Sequence, residues 1–281
     1  MKPSRLANFW PKTIPAMSPV SKVRLGIIGG AGRMGRWFKR IFEAEGYEVL
    51  VADKGTPLSN QDLAKACDVV FVSVPMSAFE EVVKEIGPLL TEKQGLIDFC
   101  SLKKEQNEIM LAHTTCEVVA AHPLFGPGEK DLTNQKVALW PSRGKKWFNW
   151  FEEFLKAQKA QTIVVPPDDH DRIMAIVQVI NHLMLLALGK LMGSAGLELE
   201  LIQKLATPSF VRQLDIVARF ADQDPYLYGL IQFDNPLGEE MRHKYLDILE
   251  ELTNIADKKD MEKFVEVFKE VQTLSRKIKL H

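Results

Sequence analysis

The first residues with recognisable chemistry form a glycine-rich run from Gly29 to Gly35, GGAGRMG. The run follows an apolar, β-branched segment and opens a helical pattern, and its glycines at 30, 32 and 35 fit G-x-G-x-x-G. Such a turn lets the backbone approach a pyrophosphate while a helix N-terminus faces the anion. The run therefore predicts a dinucleotide site. Its predicted residues are Gly30, Ala31, Gly32, Arg33, Met34 and Gly35.

A single carboxylate bears on which dinucleotide would bind. Asp53 stands 18 residues beyond Gly35, at the end of the second strand pattern. A carboxylate at this place accepts hydrogen bonds from the adenosine ribose and repels a 2′-phosphate, which favours NAD over NADP. The adjacent Lys54 acts in the opposite direction, since a cation tolerates that phosphate.

Two more predicted strands end in polar or proline-containing segments. These are Ser73-Val74-Pro75 and the segment from Asp98 to Lys103, which contains Ser101. Ligands of open α/β sheets bind at the carboxyl ends of strands, so both segments are candidate cofactor contacts. The alternative for each is an ordinary helix cap or turn.

His122 is the candidate proton acceptor. It lies in the segment Ala121 to Gly128, AHPLFGPG, directly after a strand pattern. Two prolines and two glycines restrict this segment, so we expect a rigid loop that holds His122 at the carboxyl edge of the sheet. Histidine titrates near neutrality and can accept a substrate proton, although a lone loop histidine is more often structural.

Polar residues in the C-terminal half suggest a substrate site. Gln178, Asn181 and His182 form a stripe at i, i+3 and i+4 on an otherwise apolar predicted helix. Buried polar groups need partners, either in the protein or in a ligand. Arg212 and Arg219 stand at i and i+7 and would suit a di-acid, or else form surface salt bridges.

The elements that must position these residues alternate along the first part of the chain. The predicted strands are 23–28, 48–52, 69–74, 95–98, 117–120, 136–139 and 162–165. The predicted helices are 33–44, 60–65, 78–90, 103–112 and 145–157. Such alternation predicts an α/β domain with a mostly parallel, Rossmann-type sheet.

No strand pattern follows Pro166-Pro167, and about five helices are expected across 169–281. Pro208, Pro225 and Pro236 mark expected helix starts. The predicted divisions are a proline-rich linker or tail over 1–22, a dinucleotide-binding domain over 23–166 and an all-helical domain over 167–281.

The predicted helix 169–192 is apolar nearly all round. A helix wetted on one side would not be, so we expect a homodimer through the helical half. Its longest uncharged stretch, Ile173 to Gly189, falls just short of a bilayer span. At its start His170 lies among Asp168, Asp169 and Asp171, where a helix N-cap is expected rather than a metal cluster.

Composition excludes several classes. The 281 residues carry 36 basic and 37 acidic side chains, for a net charge of −1, which argues against nucleic-acid or membrane-surface binding. The three cysteines are far apart and form no C-x-x-C, which argues against disulfides and structural zinc. With no secretory pattern at the start, the expected compartment is the cytoplasm.

Taken together, these motifs resemble the prephenate dehydrogenase family over about 24–275, in order and spacing. The resemblance lies in the glycine run, Ser73-Val74-Pro75, D-x-x-S-x-K from Asp98, H-P-L-F-G-P from His122, His170-Asp171, and Arg219 with Asp224-Pro225. It is strongest to the dehydrogenase part of bacterial bifunctional chorismate mutase–prephenate dehydrogenases, the T-proteins. In those proteins a mutase domain precedes the dehydrogenase, and no segment of this chain resembles one.

The resemblance implies an oxidoreductase of tyrosine, and thus aromatic amino acid, biosynthesis. It implies NAD-dependent oxidative decarboxylation of prephenate to 4-hydroxyphenylpyruvate without a metal. His122 would accept the ring hydroxyl proton, Ser101 would orient that histidine near the nicotinamide, and Arg219 would bind a carboxylate. His182 would contact substrate or tyrosine, the expected feedback inhibitor, and the helical half would form a dimer.

Three rival functions stay open. Arogenate dehydrogenase shares the fold, the histidine and the arginine, and differs only in acting on an amino rather than a keto side chain. A 3-hydroxyacid dehydrogenase would rely on a lysine in its helical domain, which His122 argues against. A non-enzymatic NAD-sensing domain would keep the fold but would not need His122, Ser101 and Arg219 together.

Overall fold

A computed structural model describes residues 23–278. Seven strands form one sheet in the order β2-β1-β3-β4-β5-β6-β7. The strands are β1 Arg24–Ile28, β2 Glu48–Ala52, β3 Val69–Val72, β4 Gly95–Asp98, β5 Glu117–Pro123, β6 Lys136–Arg143 and β7 Gln161–Val164. Pairing from β2 through β5 is parallel, and β6 runs antiparallel to β5. The predicted α/β fold with a mostly parallel sheet is confirmed.

Five helices connect these strands, close to their predicted ranges. They are α1 Arg33–Ala44, α2 Asn60–Ala66, α3 Met76–Ile86, α4 Lys104–His113 and α5 Lys146–Ala157. The residues of β3 and β4 are all buried, because helices of βαβ units cover both faces of a parallel sheet. That double burial explains why these strands appear in the sequence as unbroken apolar runs.

An aromatic cluster forms much of the core. Phe38 and Phe42 of α1 meet Phe71 of β3 and Phe99, and Phe38 stacks on Phe99 at 4.1 Å between ring centroids. Phe151 of α5 packs against Phe71 as well. Burying each such ring contributes about 1.5–3 kcal/mol, so this cluster fixes α1, and the loop before it, against the sheet.

The rest of the described chain is helical. Its helices are α6 Pro167–Met174, α7 Asn181–Ser194, α8 Leu199–Leu205, α9 Pro208–Ala218, α10 Pro225–Asp234, α11 Gly238–Asp257 and α12 Met261–Ile278. The expected starts at Pro208 and Pro225 are correct. The expected start at Pro236 is wrong, because Asn235 accepts a hydrogen bond from the Leu237 amide and so holds a turn before α11.

A π-helical turn, Ala175–Ile180, joins α6 and α7. The wider turn breaks the regular hydrogen-bond pattern, and the Gln232 side chain donates to the Val179 carbonyl at 2.7 Å. From Pro167 to Ser194 the helix runs over 28 residues, longer than the uncharged stretch alone suggested. By length and composition it could cross a membrane, a test that core helices of soluble proteins also pass.

The described chain forms two compact units. The first unit comprises the residues up to Phe99 together with Glu108–Ile163, and the second unit comprises Cys100–Asn107 together with the chain from Val164 onward. The boundary expected at Pro166-Pro167 therefore lies just inside the second unit. The assignment of Cys100–Asn107 to the helical unit was not expected from the sequence. The predicted linker or tail over 1–22 lies outside the described residues.

Candidate active site

The glycine loop lies between β1 and α1 in the first unit. Gly29 has φ +77°, a left-handed conformation, and its amide donates to the Ala52 carbonyl at 2.8 Å. The residue that makes the tight turn is thus Gly29, one position before the motif as the sequence suggested it. A Cβ atom on Gly35 would lie 2.5 Å from the Gly29 carbonyl oxygen, so only glycine lets α1 approach the loop this closely.

In the first unit, α1 and α3 both begin without a side-chain cap. α1 follows Gly32 and α3 follows Pro75, and neither of these N-cap residues supplies a capping hydrogen bond. The two ends are neighbours, because a Cβ on Gly29 would collide with the Ser73 carbonyl. Uncapped helix amides suit a phosphate, so Ser73-Val74-Pro75 lies beside the glycine loop in an arrangement that fits a dinucleotide.

Asp53 also reaches this loop. Its Oδ2 accepts a hydrogen bond from the Ala31 amide at 2.9 Å, and its Oδ1 accepts one from the Lys54 amide at 2.7 Å. The side chain is half-buried, and Lys54 is exposed. The carboxylate is therefore held at the end of β2 next to the glycine loop, as a ribose-binding acidic residue must be.

His122 is buried, with 3% of its surface exposed. It lies in β5 opposite Ala138 of β6, so the expectation that it belongs to a loop is wrong. The strand extends to Pro123, because β6 pairs with it along that length, and Pro123 ends it. Regular pairing holds the His122 backbone at least as firmly as a proline-rich loop would.

Asp98 supports the same strand end, a role that was not assigned from the sequence. This fully buried residue ends β4, and its Oδ1 accepts a hydrogen bond from the Ala121 amide at 3.1 Å. Beyond the strand, Phe125 packs on Trp37 with ring centroids 5.1 Å apart. Trp37 in turn donates to the Glu129 carbonyl at 2.6 Å, which fixes the loop after His122 against α1.

Ser101 is half-buried in the part of the β4–α4 connection that belongs to the second unit. The residues expected to cap α6 behave differently from one another. Asp168 and Asp169 occupy its first turn, whereas Asp171 accepts hydrogen bonds from the Lys103 and Lys104 amides at the start of α4. His170 is no N-cap either, since its Nδ1 bonds Asp171 Oδ1 at 2.7 Å.

A second cluster of predicted residues forms around Tyr228 on α10. The His182 ring lies 4.2 Å from the Tyr228 ring, centroid to centroid, and Phe220 contacts Tyr228 from another side at 5.3 Å. Burial raises the pKa of Tyr228, and the Arg219 charge opposes that shift. Tyr228 was missed in the sequence, where a tyrosine three residues after Pro225 carries no signal of its own.

His182 is neutral near pH 7, because burial lowers its pKa to about 4. Its Nδ1 and the Oε1 of Gln178 are shielded from solvent, and neither has a hydrogen-bond partner among the described residues. Unsatisfied polar atoms one helical turn apart are costly and point to a ligand that would satisfy them. Asn181 of the predicted stripe is exposed instead.

The two arginines are not on one continuous α-helix. α9 ends at Ala218 and continues as a 3₁₀ turn, Arg219–Asp222, so the i, i+7 argument fails at its last step. Asp224, the residue before Pro225, is extended, as residues before a proline prefer to be, so the turn does not run on into α10. Arg212 and Arg219 are both exposed in the single chain, and Arg219 is the one near Tyr228.

Comparison with known proteins identifies the family. The family model "Prephenate dehydrogenase, nucleotide-binding domain" matches residues 42–164, and "Prephenate dehydrogenase, dimerization domain" matches residues 166–270. The chain belongs to the prephenate dehydrogenase family. The first match begins after the glycine loop, so that loop is supported by its own geometry.

Among curated relatives, a "Probable arogenate/prephenate dehydrogenase" of Methanocaldococcus jannaschii is 34% identical over 269 residues, covering 89% of this chain and 60% of the relative. A T-protein of Enterobacter agglomerans is 28% identical over 246 residues, covering 88% of this chain and 66% of the relative. The chain thus spans 60–66% of the length of these relatives.

A solved structure shares the fold. It is the prephenate dehydrogenase of A. aeolicus in complex with hydroxyphenyl propionate and NAD⁺, with a TM-score of 0.71 and 18% identity. The match covers 93% of this chain and all of that one, 100%. The chain therefore combines the family's nucleotide-binding domain with its dimerization domain.

Proposed function

We propose that the protein catalyses the NAD-dependent oxidative decarboxylation of prephenate to 4-hydroxyphenylpyruvate, as a cytoplasmic step of tyrosine biosynthesis. The observation that carries the proposal is His122, a buried histidine at the carboxyl end of β5, in the unit that also holds the glycine loop and Asp53. The family membership given above supports the same reaction.

NAD, when bound, supplies the hydride acceptor. The residues proposed to hold it are Gly30, Ala31, Gly32, Arg33, Met34, Gly35, Asp53, Ser73, Val74, Pro75 and Ser101. The uncapped start of α1 and the Asp53 carboxylate fit a pyrophosphate and a ribose respectively.

His122 accepts the proton of the ring hydroxyl in this proposal, and Ser101 orients the histidine. Arg219 binds a substrate carboxylate through charge-assisted hydrogen bonds, with Arg212 as a second candidate. His182 and Gln178 offer uncharged polar atoms to the substrate, since the pKa of His182 is lowered to about 4. Loss of carbon dioxide is driven by formation of the aromatic ring.

Arogenate is the second candidate substrate, because the Methanocaldococcus jannaschii relative carries both names. The two substrates differ in a keto or an amino group on the side chain. The deciding experiment follows NADH formation with each substrate over a range of concentrations and compares kcat/KM. A larger kcat/KM for prephenate supports the proposal, and a larger kcat/KM for arogenate would make arogenate the substrate. Formation of no NADH with either substrate would favour an NAD-sensing role.

Asp53 tests the cofactor assignment. Asp53→Ser removes the ribose acceptor and the charge that repels a 2′-phosphate, so NAD affinity should fall roughly tenfold or more while NADP improves relative to NAD. Fluorescence titration with NADH and NADPH measures both affinities. Lys54→Ala is the matched control and should strengthen the preference for NAD. Equal use of NADP by the unaltered protein would contradict the role of Asp53.

Tyrosine is the proposed inhibitor at the same site, since it retains a 4-hydroxyphenyl ring and a carboxylate. Inhibition should be competitive with prephenate and should weaken more than turnover does when His182 is replaced. Calorimetry in the presence of NAD tests this directly. Binding that prephenate fails to displace would remove tyrosine from the pocket and leave the dehydrogenase reaction standing.

A further inference from the structure

A buried carboxylate ties the Ser101 segment to the helical unit. Asp171 lies in α6 and has a side chain that is 2% exposed. Its Oδ1 accepts the Lys103 amide and its Oδ2 accepts the Lys104 amide, both at 2.9 Å. One carboxylate therefore satisfies two amides at the start of α4, two and three residues after Ser101.

Asp171 is itself held at two points, its side chain and its backbone carbonyl. His170 Nδ1 lies 2.7 Å from Asp171 Oδ1, and since a carboxylate only accepts, this nitrogen carries the proton. The Asp171 backbone carbonyl accepts a hydrogen bond from the buried Asn235 side chain at 3.0 Å. Contacts with His170 of α6 and with Asn235, directly after α10, therefore fix Asp171 in the position from which it binds the start of α4.

These contacts account for the unexpected membership of Cys100–Asn107 in the second unit. The strand just before this segment, β4, belongs to the first unit, and α4 returns to that unit at Glu108. A short segment that leaves one unit and returns needs an anchor in the other. Asp171 supplies an anchor made of charge-assisted hydrogen bonds, which are about twice as strong as neutral ones.

We propose that Asp171, supported by His170, is a positioning residue that acts through Ser101. It holds the Ser101 segment on the helical unit, so that the serine hydroxyl is presented together with the substrate-binding residues. The expected effect on turnover rests on the proposed function. The anchoring of the Ser101 segment does not depend on that function.

Asp171→Asn is the central variant. One oxygen becomes an NH₂ group that faces an amide donor, so one of the two capping bonds is lost with little change in volume. Asp168→Asn is the matched control. Asp168 lies on α6, as Asp171 does, but its contact with Lys104 of α4 is an exposed ion pair. His170→Gln is the second variant, which keeps the carboxylate and removes its imidazole partner.

Hydrogen–deuterium exchange tests the anchor without any substrate. Asp171→Asn should speed exchange in the peptide that spans 100–107 by roughly tenfold or more, and His170→Gln should do so by a smaller factor. Asp168→Asn should leave this peptide within about twofold of the unaltered protein. Unchanged exchange in both the Asp171 and His170 variants would overturn the proposal.

Turnover with prephenate and NAD tests whether Asp171 acts through Ser101. Asp171→Asn should lower kcat by roughly tenfold or more. In a Ser101→Ala background the same change should cost less than about threefold, because its route to the reaction is already gone. An equal loss in both backgrounds would overturn the positioning role. If the unaltered protein turned over neither prephenate nor arogenate, the proposed function would fail, and faster exchange would still establish the anchor.

Discussion

The first and second units differ in how well a single chain covers their apolar side chains. Phe38, Phe42, Phe71 and Phe151 of the first unit are fully buried. Apart from Ile163, the exposed large apolar side chains between residues 23 and 278 all lie at or beyond Val164. Leu191 is 63% exposed and Phe233 78% exposed. Among residues 23–278, the second unit thus leaves a large apolar surface that no described residue covers, and such a surface is typical of an interaction site.

The same division separates the chemical roles proposed above. The first unit carries the glycine loop and the proton acceptor on a sheet whose core is complete. The second unit carries the residues proposed to recognise the substrate, on helices whose outer faces are apolar. A rigid sheet suits proton transfer, because a rigid element holds the reacting group precisely. Substitutions in the two units should consequently affect different measured quantities.

The largest effect is expected from the first unit. His122→Asn should lower kcat by roughly 10²–10⁴-fold, because asparagine fills a similar space and cannot accept the proton. The NADH dissociation constant and the melting temperature should change little. Steady-state kinetics and fluorescence titration check both statements. A near-normal kcat would show that His122 is not the proton acceptor, and that the first unit does not supply this group.

The second-largest effect is expected from the exposed apolar surface of the second unit, which we expect to form the homodimer interface. Leu191→Asp should weaken a homodimer by roughly 100-fold or more, because a carboxylate without a partner is costly in an apolar interface. Sedimentation equilibrium would then report a lower mass at micromolar concentration. Ile163→Asp, in the first unit, is the control and should leave the mass unchanged. If both variants keep the mass of the unaltered protein, the apolar α7 surface is not the dimer interface.

Recognition of the substrate carboxylate should depend on the second unit. Arg219→Ala should raise the KM for prephenate roughly 10- to 100-fold, because a carboxylate loses its charge-assisted partner. The KM for NAD should stay within about twofold. Arg212→Ala is the comparison variant and shows whether the second arginine takes part. Unchanged KM for prephenate in the Arg219 variant would assign that arginine to surface salt bridges.

The smallest effect concerns pH. The pKa of His182 falls from 6.5 to about 4 on folding, so the unfolded chain takes up this proton first as the pH falls. Stability should therefore decrease between about pH 6.5 and pH 4, by about 1–2 kcal/mol after allowance for partial exposure. His182→Gln should flatten this part of the curve, measured by urea unfolding across the range. If the free energy of unfolding of the variant fell equally steeply with pH, groups other than His182 would cause the loss of stability in acid.

Much of the first unit was accessible from the sequence. Its central strands β3 and β4 are apolar on both faces and its glycine run is local, so Gly35 and Asp53 could be located from spacing alone. The extension of β5 through His122 was missed, because it depends on pairing with β6 rather than on its own residues. In the second unit, the contact of Tyr228 with His182 joins residues far apart in the chain, and no periodicity reports such a contact.

The π turn at Ala175–Ile180 also matters for comparing this chain with its relatives. A π turn contains one residue more than the α turn it replaces, so in an alignment it behaves as an insertion inside a helix. Deleting one residue there would restore an α turn and leave α6 and α7 in their present register. The Val179 carbonyl would then return to the hydrogen bonding of its own helix, and the Gln232 side chain of α10 would lose its acceptor. The extra residue therefore provides the attachment point that ties α10 to this helix.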